Sequence, residues 1–171
     1  MVNPREQKIY LAGFDVFRLD ASDYGKSLHT LCAQYGFQGL FPLDNQAPAN
    51  LTGRALADWI YNANIALIHQ ADLVMANVNN FRGAEPDSGT CFEIGFARAL
   101  GKSVWAYTDD GRPLVDQIKN TQSVQNHCVD EHGLIVEDFG LVRNLMIACS
   151  SELVIGGPED CLRAINLRSG N

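Results

Sequence analysis

The sequence has no CxxC pair: its five cysteines, Cys32, Cys91, Cys128, Cys149 and Cys161, are odd in number and scattered, against both a disulfide framework and a zinc site. Most read as small buried hydrophobes. Positive charge is scarce, with 13 Lys and Arg against 20 Asp and Glu and a formal net charge of -7. A protein that coats phosphates needs a cationic surface, so no nucleic-acid partner is expected and a small uncharged substrate fits better. No apolar run approaches the roughly 20 residues of a membrane span, and the polar start, residues 1–8, carries no secretory signal. A soluble, cytoplasmic protein with no membrane partner is expected. Neither GxGxxG nor GxxxxGK[ST] occurs, against a dinucleotide or nucleoside triphosphate cofactor. His29, His69, His127 and His132 share no spacing that suggests a metal site or a triad. No cofactor and no metal are expected, and no repeat or long linker is visible.

What is present is material for one well-buried core: 171 residues, 46% of them apolar, which reads as a single domain over 1–171. Apolar strands are predicted over 9–12, 39–42, 73–78 and 104–107, with helices over 25–35, 51–69, 91–100 and 113–119. Leu28, Leu31, Cys32 and Tyr35 recur at helical spacing in the first helix, and Gly101 ends the third. A short edge strand near 152–155 makes a fifth strand, while 133–137, 142–149 and 159–165 carry no assignable period. Alternating strands and helices imply an α/β fold: a flavodoxin-like, doubly wound, parallel five-stranded sheet with helices on both faces. Ligands bind beyond the carboxyl ends of such strands, here 13–15, 44–46, 79–93 and 108–110.

The densest of these is the polar loop 79–93, with three carboxylates, Glu85, Asp87 and Glu93, running into a helix. A carboxylate near a helix start sees the positive end of the dipole, which favours the ionised form that a nucleophile needs. Thr90-Cys91-Phe92-Glu93 also satisfies the capping-box pattern, and on local pattern alone a cap is the better reading of Glu93. Asp87, between Pro86 and Ser88-Gly89, reads equally as a turn or cap residue.

The ordered set Ile9-Tyr10-Leu11-Ala12-Gly13, Pro42-Leu43-Asp44-Asn45-Gln46, Tyr61-Asn62, Ala71-Asp72-Leu73-Val74, Asp87-Ser88-Gly89-Thr90 with Glu93-Ile94-Gly95, and Asn144-Leu145-Met146 resembles the nucleoside 2-deoxyribosyltransferase family. The resemblance implies an enzyme of nucleotide salvage that takes a deoxynucleoside, of purine or pyrimidine, and a free nucleobase. Glu93 would attack C1' of the deoxyribose, the base would leave, and a second base would attack the covalent intermediate, giving net retention. Tyr10 matches the tyrosine that orients the nucleophile, and Asp87 the acidic partner that contacts the sugar hydroxyls. Gly89 falls within the same matching motif and is taken as substrate-binding. Gln46 matches a base-contacting glutamine, whose amide both donates and accepts, and Phe14 an aromatic stacked on the base. Asn144 and Met146 match residues contributed by a neighbouring subunit, so a homo-oligomer is implied. Without the resemblance Tyr10 and Phe14 read as core aromatics and Gln46 as a loop residue.

The chain departs from the family at Asn64, where the best-known members place an aspartate that protonates the leaving base. Asparagine can hydrogen-bond a base but has no titratable proton near neutral pH. Asp15, just past the first strand, is a candidate substitute in contact with the base, or else a turn residue. Two other readings stay open. One is an N-glycosidase of 2'-deoxynucleosides or nucleoside 5'-monophosphates, with Arg82 and Ser88 available to a phosphate. The other is a non-catalytic nucleotide-sensing module, since fold alone does not fix function.

Overall fold

A computed structural model describes residues 6–169. The first strand, β1 (Gln7–Ala12), alternates Ile9 and Leu11 on one face with Tyr10 and Ala12 on the other, as a strand buried on both sides must. A 3-10 turn at Phe14–Phe17 leads into α1 (Ala21–Gln34), β2 (Phe37–Leu40) and a second 3-10 turn at Pro42–Asp44. Then follow α2 (Gly53–Gln70), β3 (Leu73–Asn77), α3 (Ser88–Ala99) and β4 (Ser103–Thr108). The chain continues as an arm: one-turn α4 (Leu114–Gln117), the hairpin β5 (Gln122–Val124) and β6 (His127–Val129), and one-turn α5 (Leu145–Ala148). It closes with β7 (Glu152–Ile155) and α6 (Pro158–Ser169).

The main sheet has the order β2-β1-β3-β4-β7 with every pairing parallel, the doubly wound, flavodoxin-like α/β arrangement expected. Tyr10, Val74, Ala76, Val104 and Ala106 pack against Leu67 and Ile68 of α2 and Ile94 and Ala97 of α3. On the other face Leu11, Met75, Trp105 and Tyr107 meet Leu28 and Cys32 of α1 and Cys161, Leu162 and Ile165 of α6. Each fully buried aliphatic side chain is worth about 1.5–3 kcal/mol. The chain leaves β1 outward to β2 and then crosses back to β3, so a crevice opens at the carboxyl ends between β1 and β3.

The differences from expectation have local causes. The strand predicted at 39–42 lies two residues earlier, because Pro42 opens the turn that Asp44 closes through Phe41 N–H (2.8 Å). The helix predicted from 91 starts at Ser88, where Asp87 accepts from Thr90 N–H at 3.0 Å and is the N-cap. The helix predicted over 113–119 is a single turn, since Ile118 is extended and Asn120 has φ 57. The unassigned stretches hold α5 and α6, and the β5–β6 hairpin was not foreseen. Cys32 and Cys161 are buried, Cys91 and Cys128 are half-buried, and Cys149 is exposed.

The arm is tied to the sheet by Arg143, which is wholly buried. It donates to Val78 O (2.6 Å) beyond β3, Thr108 Oγ1 (2.5 Å) at the end of β4, Gln117 Oε1 (2.6 Å) on α4 and Val142 O (3.0 Å). Among the described residues no helix is long and apolar enough to cross a membrane, and no group of three or more His, Cys, Asp or Glu could hold a metal ion.

Candidate active site

Tyr10 reaches the α3 face of the sheet near the carboxyl end of β1, and its hydroxyl donates to Glu93 Oε1 at 2.6 Å. Burial, with the neighbouring Glu93 charge, pushes the Tyr10 phenol far above its ordinary value, so it stays protonated and donates. Burial pushes the Glu93 carboxyl up to about 7; the Tyr10 hydrogen bond opposes this and the Asp87 charge adds to it. This overturns the expectation that the helix start keeps Glu93 ionised. Glu93 lies in the second turn of α3, beyond the free N–H groups, so desolvation outweighs the dipole. The capping-box reading fails for the same reason: the cap is Asp87, and Glu93 is bonded across to β1.

Glu93 lines a cavity of about 480 Å³ shared with Asp87, Gly89 and Thr90 from the start of α3. Asp87 is both cap and wall: Thr90 N–H and Thr90 Oγ1 (3.3 Å) donate to one of its oxygens, Oδ2, which fixes the carboxylate. Gly13 forms the floor. With φ 154 and Asn77 Cβ 2.8 Å from where its own Cβ would stand, it admits no side chain. The opposite wall belongs to α2, where Trp59, Ile60, Ala63 and Asn64 share one face. Leu43, Asn45 and Ala47 close one side, from a loop held by Asp44, whose carboxylate pairs with His29 Nε2 at 2.8 Å.

Asn64 Oδ1 is buried without a hydrogen-bond partner. Such an orphan costs about 1–3 kcal/mol.

The structure therefore gathers Tyr10, Asn64, Asp87, Gly89 and Glu93 at one place. It does not bring Gln46, Phe14 or Asp15 there. Gln46 is exposed between Asn45 and Ala47, which do line the cavity, because an extended segment sends alternate side chains opposite ways. Phe14 faces a separate polar crevice, stacked on Phe81 (5.2 Å), and Phe17, one 3-10 turn later and also stacked on Phe81 (5.3 Å), is the aromatic in the Glu93 cavity. Asp15 is buried in that second crevice, where Asn77 Nδ2 donates to it at 2.8 Å, and desolvation raises its pKa. Asn144 caps α5 through Met146 N–H (3.0 Å) and donates to Glu137 Oε2 (3.1 Å), while Met146 is 72% exposed; neither lines this chain's own Glu93 cavity. Arg82 lies over the Phe81 ring at 4.7 Å. Sequence reasoning missed Phe17, Trp59 and Ile60, although Trp59/Ala63 and Ile60/Asn64 stand at i, i+4 on one helix face.

The model of the family described as nucleoside 2-deoxyribosyltransferase matches residues 9–146. An uncharacterized protein of Schizosaccharomyces pombe is 29% identical over 159 residues, covering 81% of this chain and 74% of its own. The structure is similar to a 2-desoxiribosyltransferase from Leishmania mexicana, with TM-score 0.76 and 34% identity over 94% of this chain and 97% of that one. A conserved protein from Enterococcus faecalis V583 aligns with TM-score 0.61 and 25% identity over 95% and 98% of the two chains. The fold alone is shared with a 2-deoxyribosyltransferase from Bacillus psychrosaccharolyticus, at TM-score 0.59 and 19% identity over 93% and 90%.

Proposed function

The chain belongs to the nucleoside 2-deoxyribosyltransferase family, and we propose that it moves 2-deoxyribose between nucleobases through a covalent intermediate on Glu93. The observation that carries this reading is the 2.6 Å bond from Tyr10 to Glu93 beside Asp87 in one cavity. Tyr10 holds one carboxylate oxygen and leaves the other to act. In the first step that oxygen bonds to C1' as the C1'–N bond breaks, its electron pair leaving with the base, whose ring nitrogen takes a proton from water. Asp87 holds the sugar hydroxyls and, as an anion, steadies the positive charge that builds on the ring. In the second step a ring nitrogen of another base bonds to C1' as its proton passes to water, the ester bond breaks, and Glu93 recovers its electron pair. Two inversions give net retention.

The apolar wall of Phe17, Trp59 and Ile60 suits a base ring, and Asn64 its polar edge. We read residues 1–171 as one catalytic domain acting in a homo-oligomer, with Asn144 and Met146 offered to the Glu93 cavity of a neighbouring copy. Incubation with a deoxynucleoside and a different free base, followed by chromatography, tests the reading. A new deoxynucleoside is expected. Free deoxyribose alone would mean a hydrolase, and no reaction would sink the enzymatic reading for that substrate. Glu93→Ala should abolish turnover with the fold retained; normal turnover in that variant would refute the nucleophile.

A further inference from the structure

His29 stands on α1, which packs on the sheet face opposite α2 and α3, yet one side chain links it to the Glu93 cavity. Its Nε2 lies 2.8 Å from Asp44 Oδ1. An ionised carboxylate only accepts, so the imidazole donates. The other oxygen of Asp44, Oδ2, takes Phe41 N–H at 2.8 Å, so one carboxylate joins α1 to the turn that opens residues 42–47. Two glycines let the parts come this close. A Cβ on Gly25, one turn before His29, would stand 2.6 Å from the Phe41 ring, and a Cβ on Gly39 would stand 3.0 Å from His29 Nδ1. Asp44 turns to α1 while Leu43 and Asn45 beside it line the Glu93 cavity. From Asn45 to Thr52 the chain has neither helix nor strand of its own.

We propose that His29 is a positioning residue for the transfer reaction: through Asp44 it sets the loop that walls one side of the Glu93 cavity. It touches no reacting atom. An irregular segment takes its place from the few bonds that anchor it. Freed of His29, residues 42–47 spend part of their time with the wall displaced. Only the molecules with the wall in place bind, so apparent affinity falls in proportion to their fraction. Tyr10 and Asp87 meet the reacting end of the cavity from β1 and the start of α3, apart from this loop. Affinity therefore falls while the rate of the bound complex holds. The inference rests on the deoxyribosyl-transfer reading for its ligand, and one arm of its test needs no ligand.

Three readouts test this. Exchange of the Phe41 and Asp44 amides, both bonded within the turn, reports the loop. Quenching of Trp59 in the cavity wall by 2'-deoxyadenosine or 2'-deoxycytidine reports binding, since Trp105 is buried on the other face of the sheet. Initial rates of transfer separate kcat from KM for the nucleoside. In His29→Ala the two amides should exchange about tenfold faster, and Kd and KM should rise about five- to tenfold with kcat within about twofold of native. His29→Gln, whose amide nitrogen can take the place of Nε2, should restore all three. In an Asp44→Ala background, His29→Ala should change nothing more. A kcat loss at unchanged KM, equal defects in the Ala and Gln variants, or a full further loss in the Asp44→Ala background would overturn the proposal. So would native exchange of the two amides in His29→Ala, or a rise spread over the whole chain, which marks loss of fold rather than of position. If neither nucleoside quenches or is transferred, the transferase reading fails for those substrates and the exchange of Phe41 and Asp44 decides His29 alone.

Discussion

With the Glu93 carboxyl pushed up to about 7, both rate and stability should follow its proton. Attack needs the anion, so kcat/KM should rise with pH along an acidic limb of apparent pKa near 7. Because the Tyr10 hydrogen bond lowers that pKa, Tyr10→Phe should move the limb upward as well as slow the reaction; a limb that stays in place would deny the coupling. Stability runs the other way. The folded state keeps its Glu93 proton to about 7 against an ordinary 4.5, so between those values it binds more protons than the unfolded chain and loses stability as pH rises. Glu93→Gln, neutral throughout, should then exceed the native protein by up to about 3 kcal/mol at pH 8 and by under about 1 kcal/mol at pH 5. Urea titrations at the two pH values measure this, and a pH-independent difference would contradict the burial argument. At this scale the sequence named Glu93, Asp87 and Tyr10 only through the ordered motif set. Local pattern favoured a cap, and no local pattern encodes a bond between residues 83 apart.

Elements were more legible than contacts. Leu28 and Cys32 at i, i+4 announced α1, and the run at residues 73–77 announced β3, because burial on one helix face or both sheet faces leaves a period in the sequence. The arm left none. Its hairpin is held by its own backbone ladder and its one-turn helix α4 by side chains rather than by a periodic apolar face, and Arg143 is the chief of these. Its guanidinium is wholly buried, and Asp110, Glu85 and Asp109 offset part of the desolvation that lowers its pKa. Arg143→Met would strand Val78 O and Gln117 Oε1 without a donor. A loss of about 3 kcal/mol is expected, read by thermal unfolding, with amide exchange rising across residues 114–145. Uniform exchange with no change in stability would show that the arm is held otherwise.

At the scale of the whole molecule, two groups of large apolar side chains among the described residues stand exposed near the site and on the arm. Ile60, Tyr61 and Phe92, at 45%, 53% and 50% exposed, flank the cavity on α2 and α3. Leu134, Ile135, Phe139 and Met146, at 63% to 72%, crowd the arm. If a second copy brings Met146 to the Glu93 cavity, each site draws on two chains, and inactive variants should complement. Glu93→Ala lacks the nucleophile; Met146→Glu places a charge against the partner's cavity without disturbing the Asn144 cap, since its side chain stands in solvent. In a mixed dimer one site has Glu93 from one chain and Met146 from the other, both native. Random reassociation of equal amounts should therefore restore about a quarter of native activity, half the dimers being mixed and each carrying one intact site of two. Activity no greater than the sum of the separate variants, in a mixture shown by light scattering to contain dimers, would mean that each chain works its cavity alone.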